Sequence, residues 1–151
     1  MMLLVKRIFL FTFVALLSHG VVARVTHAES REKQKVVYHI NVDDRKVLNT
    51  AMKTIQNHLG AVGADNLDLR VVLHGNGIAL LQLAHSDPTF QGKVKSLKRQ
   101  GVHFIVCHST LAARKIDFKK DLYDVTEADI VPSGVAEIAH LQSQGFSYVK
   151  P

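Results

Sequence analysis

Apolar and polar positions alternate along the chain in blocks that change period. Lys35–Val42, with Val36, Val37, Tyr38 and Ile40, has the spacing of a strand, and Asp43 or Asp44 then stands where a helix cap belongs. Val47, Leu48, Ala51, Met52, Ile55 and Leu59 recur at helical spacing, and Gly60 is placed to end that helix. His58, near its end, is read as a charge partner for the helix carboxyl terminus. A second strand is expected over Asp68–His74, running into Gly75-Asn76-Gly77 and a helix over Ile78–Ala84. Pro88 breaks the chain before a helix with Phe90, Val94 and Leu97 on one face and Lys93, Lys95, Lys98 and Arg99 on the solvated side.

The next block, Gly101–Leu111, reads as a buried strand ending at Cys107 and turning into a helix that Ser109 or Thr110 would cap. Leu111–Ile116 is expected to be helical, with a short strand near Ala128–Val131. Pro132-Ser133-Gly134 opens a last helix with Val135, Ile138, Ala139 and Leu141 on its face; Gly145 stops it and Phe146–Val149 forms a final strand. Strands alternating with helices predict an α/β fold, a three-layer α/β/α sandwich on a largely parallel sheet of about five strands.

The amino terminus departs from this alternation. Lys6 and Arg7 precede the apolar run Ile8–Leu17, and small residues follow as far as Ala23 and Ala28. That is the layout of a secretory signal peptide over residues 1–28, cut after Ala23 or Ala28, with the folded domain over residues 29–151. The apolar run is shorter than the roughly 20 residues a membrane span needs. A periplasmic or secreted protein without stable membrane insertion is therefore expected. The chain of 151 residues has 19 Lys and Arg against 13 Asp and Glu. Lys6 and Arg7 stand ahead of the leader's apolar run and the other basic residues are scattered, which argues against nucleic-acid binding.

Export changes the meaning of Cys107, the only cysteine. It has no partner within its chain for a disulfide, so it is packed and inert, bridged to another molecule, or kept for chemistry. A thiol at a strand's carboxyl end and a helix's amino end is placed where α/β sheets bind ligands and where the thiolate is favoured. His74 ends another strand at the same expected edge. His74 and His108 are candidates to favour the thiolate, and Gly75, Asn76 and Gly77 to hold an anion on backbone N–H groups. The glycine turn is neither a dinucleotide fingerprint nor a P-loop, and no Cys-x-x-Cys or His-Glu-x-x-His pattern occurs. No metal site or cofactor is expected. Copper or zinc on Cys107, His74 and His108 ranks below a thiol site, and a cysteine hydrolase with His74 as base ranks lower still.

Three segments in order, Val72–Gly77, Gly101–Leu111 and Val131–Pro151, resemble the DsrE/DsrF-like family across roughly Lys35–Pro151. The resemblance implies a compact α/β sandwich that assembles into trimers or hexamers. It also implies a cysteine, here Cys107, that in several members carries sulfur as a persulfide exchanged with a donor or acceptor protein. Ser109 and Thr110 belong to the same supporting set. The alternative is an oligomeric binding or assembly module in which Cys107 is only packed.

Overall fold

The computed structural model describes residues 32–151; the expected signal peptide, residues 1–28, lies outside the described residues. Five strands form one sheet: β1 Gln34–Ile40, β2 Leu67–Leu73, β3 His103–Cys107, β4 Ile130–Val131 and β5 Ser147–Val149. Their order is β4-β3-β2-β1-β5 and every pairing is parallel. Six α-helices accompany them: α1 Arg45–Val62, α2 Ala79–Ser86, α3 Pro88–Arg99, α4 His108–Arg114, α5 Phe118–Asp121 and α6 Gly134–Ser143. Among the described residues no helix is long and apolar enough to cross a membrane.

The chain steps outward from β1 to β4 and then crosses back to place β5 on the far side of β1. Because parallel crossovers keep one hand, a reversal of direction along the sheet puts the returning helix on the opposite face. This separates the two cores. Val36, Tyr38, Ile40, Leu69, Val71, Leu73, Phe104 and Val106 face the larger one, which α1, α2 and α3 close and to which α4 contributes Leu111. Val37, Val72 and Ile105 face the smaller one with Ile138 and Leu141 of α6 and Phe146. The result is the expected three-layer sandwich, with a single helix as its thin layer. The central strands are apolar on both faces for this reason.

Local chemistry sets the helix ends. Asp44 caps α1 by accepting from the Val47 N–H at 2.8 Å. Asp87 caps α3 by accepting from Thr89 and Phe90, with Pro88 at the first helical position where its missing N–H costs nothing. Ser133 caps α6. Asp87 also pairs with Arg45, tying the starts of α1 and α3 together.

Several expectations need correction. Gly60 does not end α1; the helix continues to Val62 and stops at Gly63, whose φ of 88° only glycine adopts readily. His58 bonds through Nδ1 to the Tyr38 hydroxyl at 2.9 Å, giving that buried phenol a partner. Neither Ser109 nor Thr110 caps α4, because the helix begins at His108 and Cys107 itself occupies the cap position. Val135 is 63% exposed. The sheet-facing row of α6 is Gly134, Ile138 and Leu141, spaced i, i+4, i+7, which rotates Val135 and Ala139 outward.

Two glycines follow different rules. A Cβ on Gly77 would lie 2.0 Å from the Ile40 carbonyl oxygen, so the turn after β2 is pressed against the end of β1. A Cβ on Gly60 meets nothing within 4 Å. Gly77→Ala is expected to destabilise the fold by about 3 kcal/mol, the upper end of ordinary overpacking. Gly60→Ala should stabilise it by about 1 kcal/mol through helix propensity. Denaturant unfolding of the two variants checks both signs.

Candidate functional site

The loops after β3 and β4 leave the sheet toward opposite faces, β3 into α4 over the larger core and β4 into α6 over the smaller one. Adjacent strands whose connections diverge open the crevice where α/β sheets bind ligands. Cys107 is the last residue of β3, paired with Val131 of β4, and so stands at that divergence. Its side chain lies on the α6 side, two residues beyond Ile105, and the residue is 5% exposed.

Two helix amino termini meet the sulfur. Burial pushes the Cys107 thiol up; hydrogen bonding from the Thr110 hydroxyl and from the backbone N–H groups of Gly134, Thr110 and Ser109 outweighs it, and the net shift is downward. Ser109 and Thr110 are the second and third residues of α4, whose N–H groups have no intrahelical acceptor, and Gly134 is the first residue of α6. The sulfur forms no full capping bond to α4; its N–H groups act as oriented dipoles near the thiol. Ser109 also holds the two loops together, its N–H and hydroxyl both donating to the Pro132 carbonyl, at 3.2 and 2.8 Å.

The approach of α6 depends on Gly134. A Cβ there would lie 3.0 Å from the Cβ of His74 and 3.3 Å from that of Cys107. Any larger residue would lift the helix start, and its N–H, from the sulfur. The same contact shows that His74 and Cys107 are neighbours. They extend the β2–β3 register by one step, beyond the Leu73–Val106 pair.

The structure divides the remaining candidates. Gly75, at φ 54°, donates its N–H to the Thr110 hydroxyl at 3.0 Å, which leaves that hydroxyl's proton for the sulfur. The Gly77 N–H is taken by the His74 carbonyl at 2.9 Å, and Asn76 holds Arg114. The Gly75 and Gly77 N–H groups are therefore already engaged in building the thiol's surroundings. His108 is exposed and lines a cavity of about 440 Å³ with Phe118, Glu127, Ile130, Val131 and Pro132. No histidine is among the groups that lower the Cys107 thiol. Among the described residues no three His, Cys, Asp or Glu side chains are placed to hold a metal ion.

Gly134, His39 and Tyr148 join the site without having been singled out. His39 Nε2 lies 2.6 Å from His74 Nε2, and His39 Nδ1 lies 2.7 Å from the Tyr148 hydroxyl. Burial, then His74 and Lys150, lowers His39 to about 4; burial, then Lys150, lowers His74. A signal for His39 was present in the chain. Val37-Tyr38-His39, Val72-Leu73-His74 and Ile105-Val106-Cys107 share one pattern, an apolar residue on the α6 face followed two positions later by a polar or nucleophilic one.

The model of the DsrE/DsrF-like family matches residues 34–151. The chain belongs to that family. Among solved structures, the chain is similar to a protein of unknown function from Methanobacterium thermoautotrophicum, at 30% identity and a TM-score of 0.69, over 79% of this chain and all of the other. Comparison with curated proteins finds no match. The match to the DsrE/DsrF-like family spans all five strands, so the thiol crevice lies wholly within the shared domain.

Thr110 offers a direct test of what lowers the thiol. Thr110→Val keeps the shape and removes the hydroxyl, so Cys107 should react more slowly with methyl methanethiosulfonate at pH 7 as its thiolate fraction falls. Thr110→Ser should retain most of the wild-type rate. Equal rates in all three proteins would show that the hydroxyl does not act on the sulfur.

Proposed function

We propose that the protein carries sulfane sulfur on Cys107 outside the cytoplasm. The observation that carries this reading is the placement of the one cysteine of a DsrE/DsrF-like chain at the divergence of β3 and β4, where N–H groups of two helices and the Thr110 hydroxyl lower its thiol below the ordinary range despite burial. The thiolate is the form that attacks S–S bonds. In the loading step Cys107–S⁻ attacks the outer sulfur of a donor R–S–SH. The new S–S bond forms as the donor's breaks, giving Cys107–S–SH and R–S⁻. In the unloading step an acceptor thiolate attacks the outer sulfur in turn, leaving with it as a persulfide and restoring Cys107–S⁻. Sulfane sulfur moves at its own oxidation level, so no external oxidant enters.

Export belongs to the proposal through the signal-like residues 1–28, and so does assembly into trimers or hexamers through the family resemblance. A donor or acceptor protein outside the cytoplasm is the partner this chemistry requires. The low exposure of Cys107 favours a second reading, an assembly module in which the thiol is only packed. The exposed Val135 and Ala139 on α6 would suit its subunit contacts.

Intact-mass spectrometry separates the two. After incubation with polysulfide the protein should gain one or more sulfur atoms, lose them to reductant, and gain none as Cys107→Ser. A wild-type mass that polysulfide leaves unchanged, with the thiol labelled only after denaturation, would establish the packed reading instead.

A further inference from the structure

The strand edge that carries Cys107 also carries a hydrogen-bonded series that thiol loading does not use. It begins at Tyr148 of β5, which is 42% exposed, passes to His39 of β1 over 2.7 Å, and reaches His74 at the end of β2 over 2.6 Å. The two imidazole planes are inclined by 24° with ring centres 4.6 Å apart, so the rings meet edge to edge. Three neighbouring strands thus supply one continuous path from solvent to the residue beside Cys107. Lys150 stands close to both histidines, its ammonium bonded to Asn41 Oδ1 at 2.7 Å.

Two nitrogen atoms 2.6 Å apart share a single proton, and this fixes how the series works. When the Tyr148 hydroxyl donates to His39 Nδ1, His39 Nε2 donates to His74 Nε2 and His74 carries its own proton on Nδ1. When the protons are reversed, His74 Nε2 donates to His39 Nε2, His39 Nδ1 donates to the Tyr148 oxygen, and His74 Nδ1 is left with a free lone pair. A proton taken up at His74 Nδ1 therefore passes out at Tyr148 by switching the series from the second arrangement to the first. No ring needs to hold a charge at the end of the transfer, which matches a site where Lys150 and burial oppose imidazolium.

We propose that Tyr148, His39 and His74 form a proton relay serving the thiol of an incoming sulfur acceptor. His74 takes the acceptor's S–H proton at Nδ1, and His39 and Tyr148 are positioning residues that set its tautomer and release the proton to water. The inference rests on the sulfur-carrier reading and deepens it: it assigns the acceptor class as thiols that arrive protonated. The step balances as R–SH giving its proton to His74, R–S⁻ taking the outer sulfur as R–S–SH, and Cys107–S⁻ remaining in its N–H surroundings. Loading draws on a donor whose S–S bond is already formed and does not need the relay.

The test uses the purified protein with persulfidated Cys107 and two acceptors at pH 7. One is 2-mercaptoethanol, which is protonated at that pH; the other is thionitrobenzoate, which is already ionised. His74→Gln should slow transfer to 2-mercaptoethanol by about a hundredfold, the low end of what a positioned base supplies. His39→Gln and Tyr148→Phe should each slow it roughly tenfold, a part of that contribution. All three variants should load sulfur and transfer it to thionitrobenzoate at the wild-type rate. Equal slowing toward both acceptors would mark the series as structural and overturn the relay, as would no slowing toward either. In those cases wild-type loading would still stand, so the carrier reading survives; failure of the wild type to load at all would remove both.

Discussion

The site depends on one close approach, that of the amino end of α6 to the ends of β2 and β3. Gly134 lies where a Cβ would meet the side chains of His74, Cys107 and Val72 within 3.0–3.3 Å. That approach follows from topology. The chain reverses direction after β4, so α6 must start beside the sheet edge where β3 has just ended and must cross the face that the other helices leave open. With a single helix in that layer, apolar cover is confined to Val37, Val72 and Ile105, and the strand ends beyond it are polar. Packing and chemistry therefore share one residue: the missing side chain at position 134 lets the helix seat, and its N–H then acts on the sulfur.

Opposing effects meet at Cys107. Burial alone would hold the sulfur as a thiol, and a buried cysteine at the end of an apolar strand is usually inert. Here four polar groups at the starts of two helices, α4 and α6, outweigh the burial. Two of them come from the α4 backbone, one from α6, and one from a hydroxyl whose lone pair is already engaged by Gly75. The histidines contribute no charge to that balance. They form their own series, both lowered by burial and Lys150, and His39 by His74 as well. A site of this kind separates the stabilising of a sulfur anion from the handling of protons.

Much of this was legible in the chain because strands and helices announce themselves by period. The parallel sheet, the positions of β1 to β3, and the placing of Cys107 and His74 at one edge follow from apolar runs ending in polar residues. What period does not report is rotation and register. Val135 looked like a core residue because it is apolar and near the helix start; only the seating of Gly134 turns it outward. Gly60 looked like a helix stop, although glycine ends helices where a positive φ is required, and Gly63 meets that condition. In the glycine turn the Gly75 and Gly77 N–H groups are engaged by Thr110 and His74, contacts that spacing does not report. His39 and Tyr148 became part of the site through the pairing of β1 with both β2 and β5, a contact that spans 109 residues of sequence for that pair.

What the site rests on is that the starts of α4 and α6 lower the Cys107 thiol against the effect of burial. The most direct measurement is the ultraviolet thiolate absorbance of the native protein as a function of pH, taken as the difference from Cys107→Ser. A single titration is expected, with its midpoint below the ordinary thiol value of about 8.5. A midpoint at or above that value would mean that burial prevails over the helix termini and the Thr110 hydroxyl, and would contradict the account.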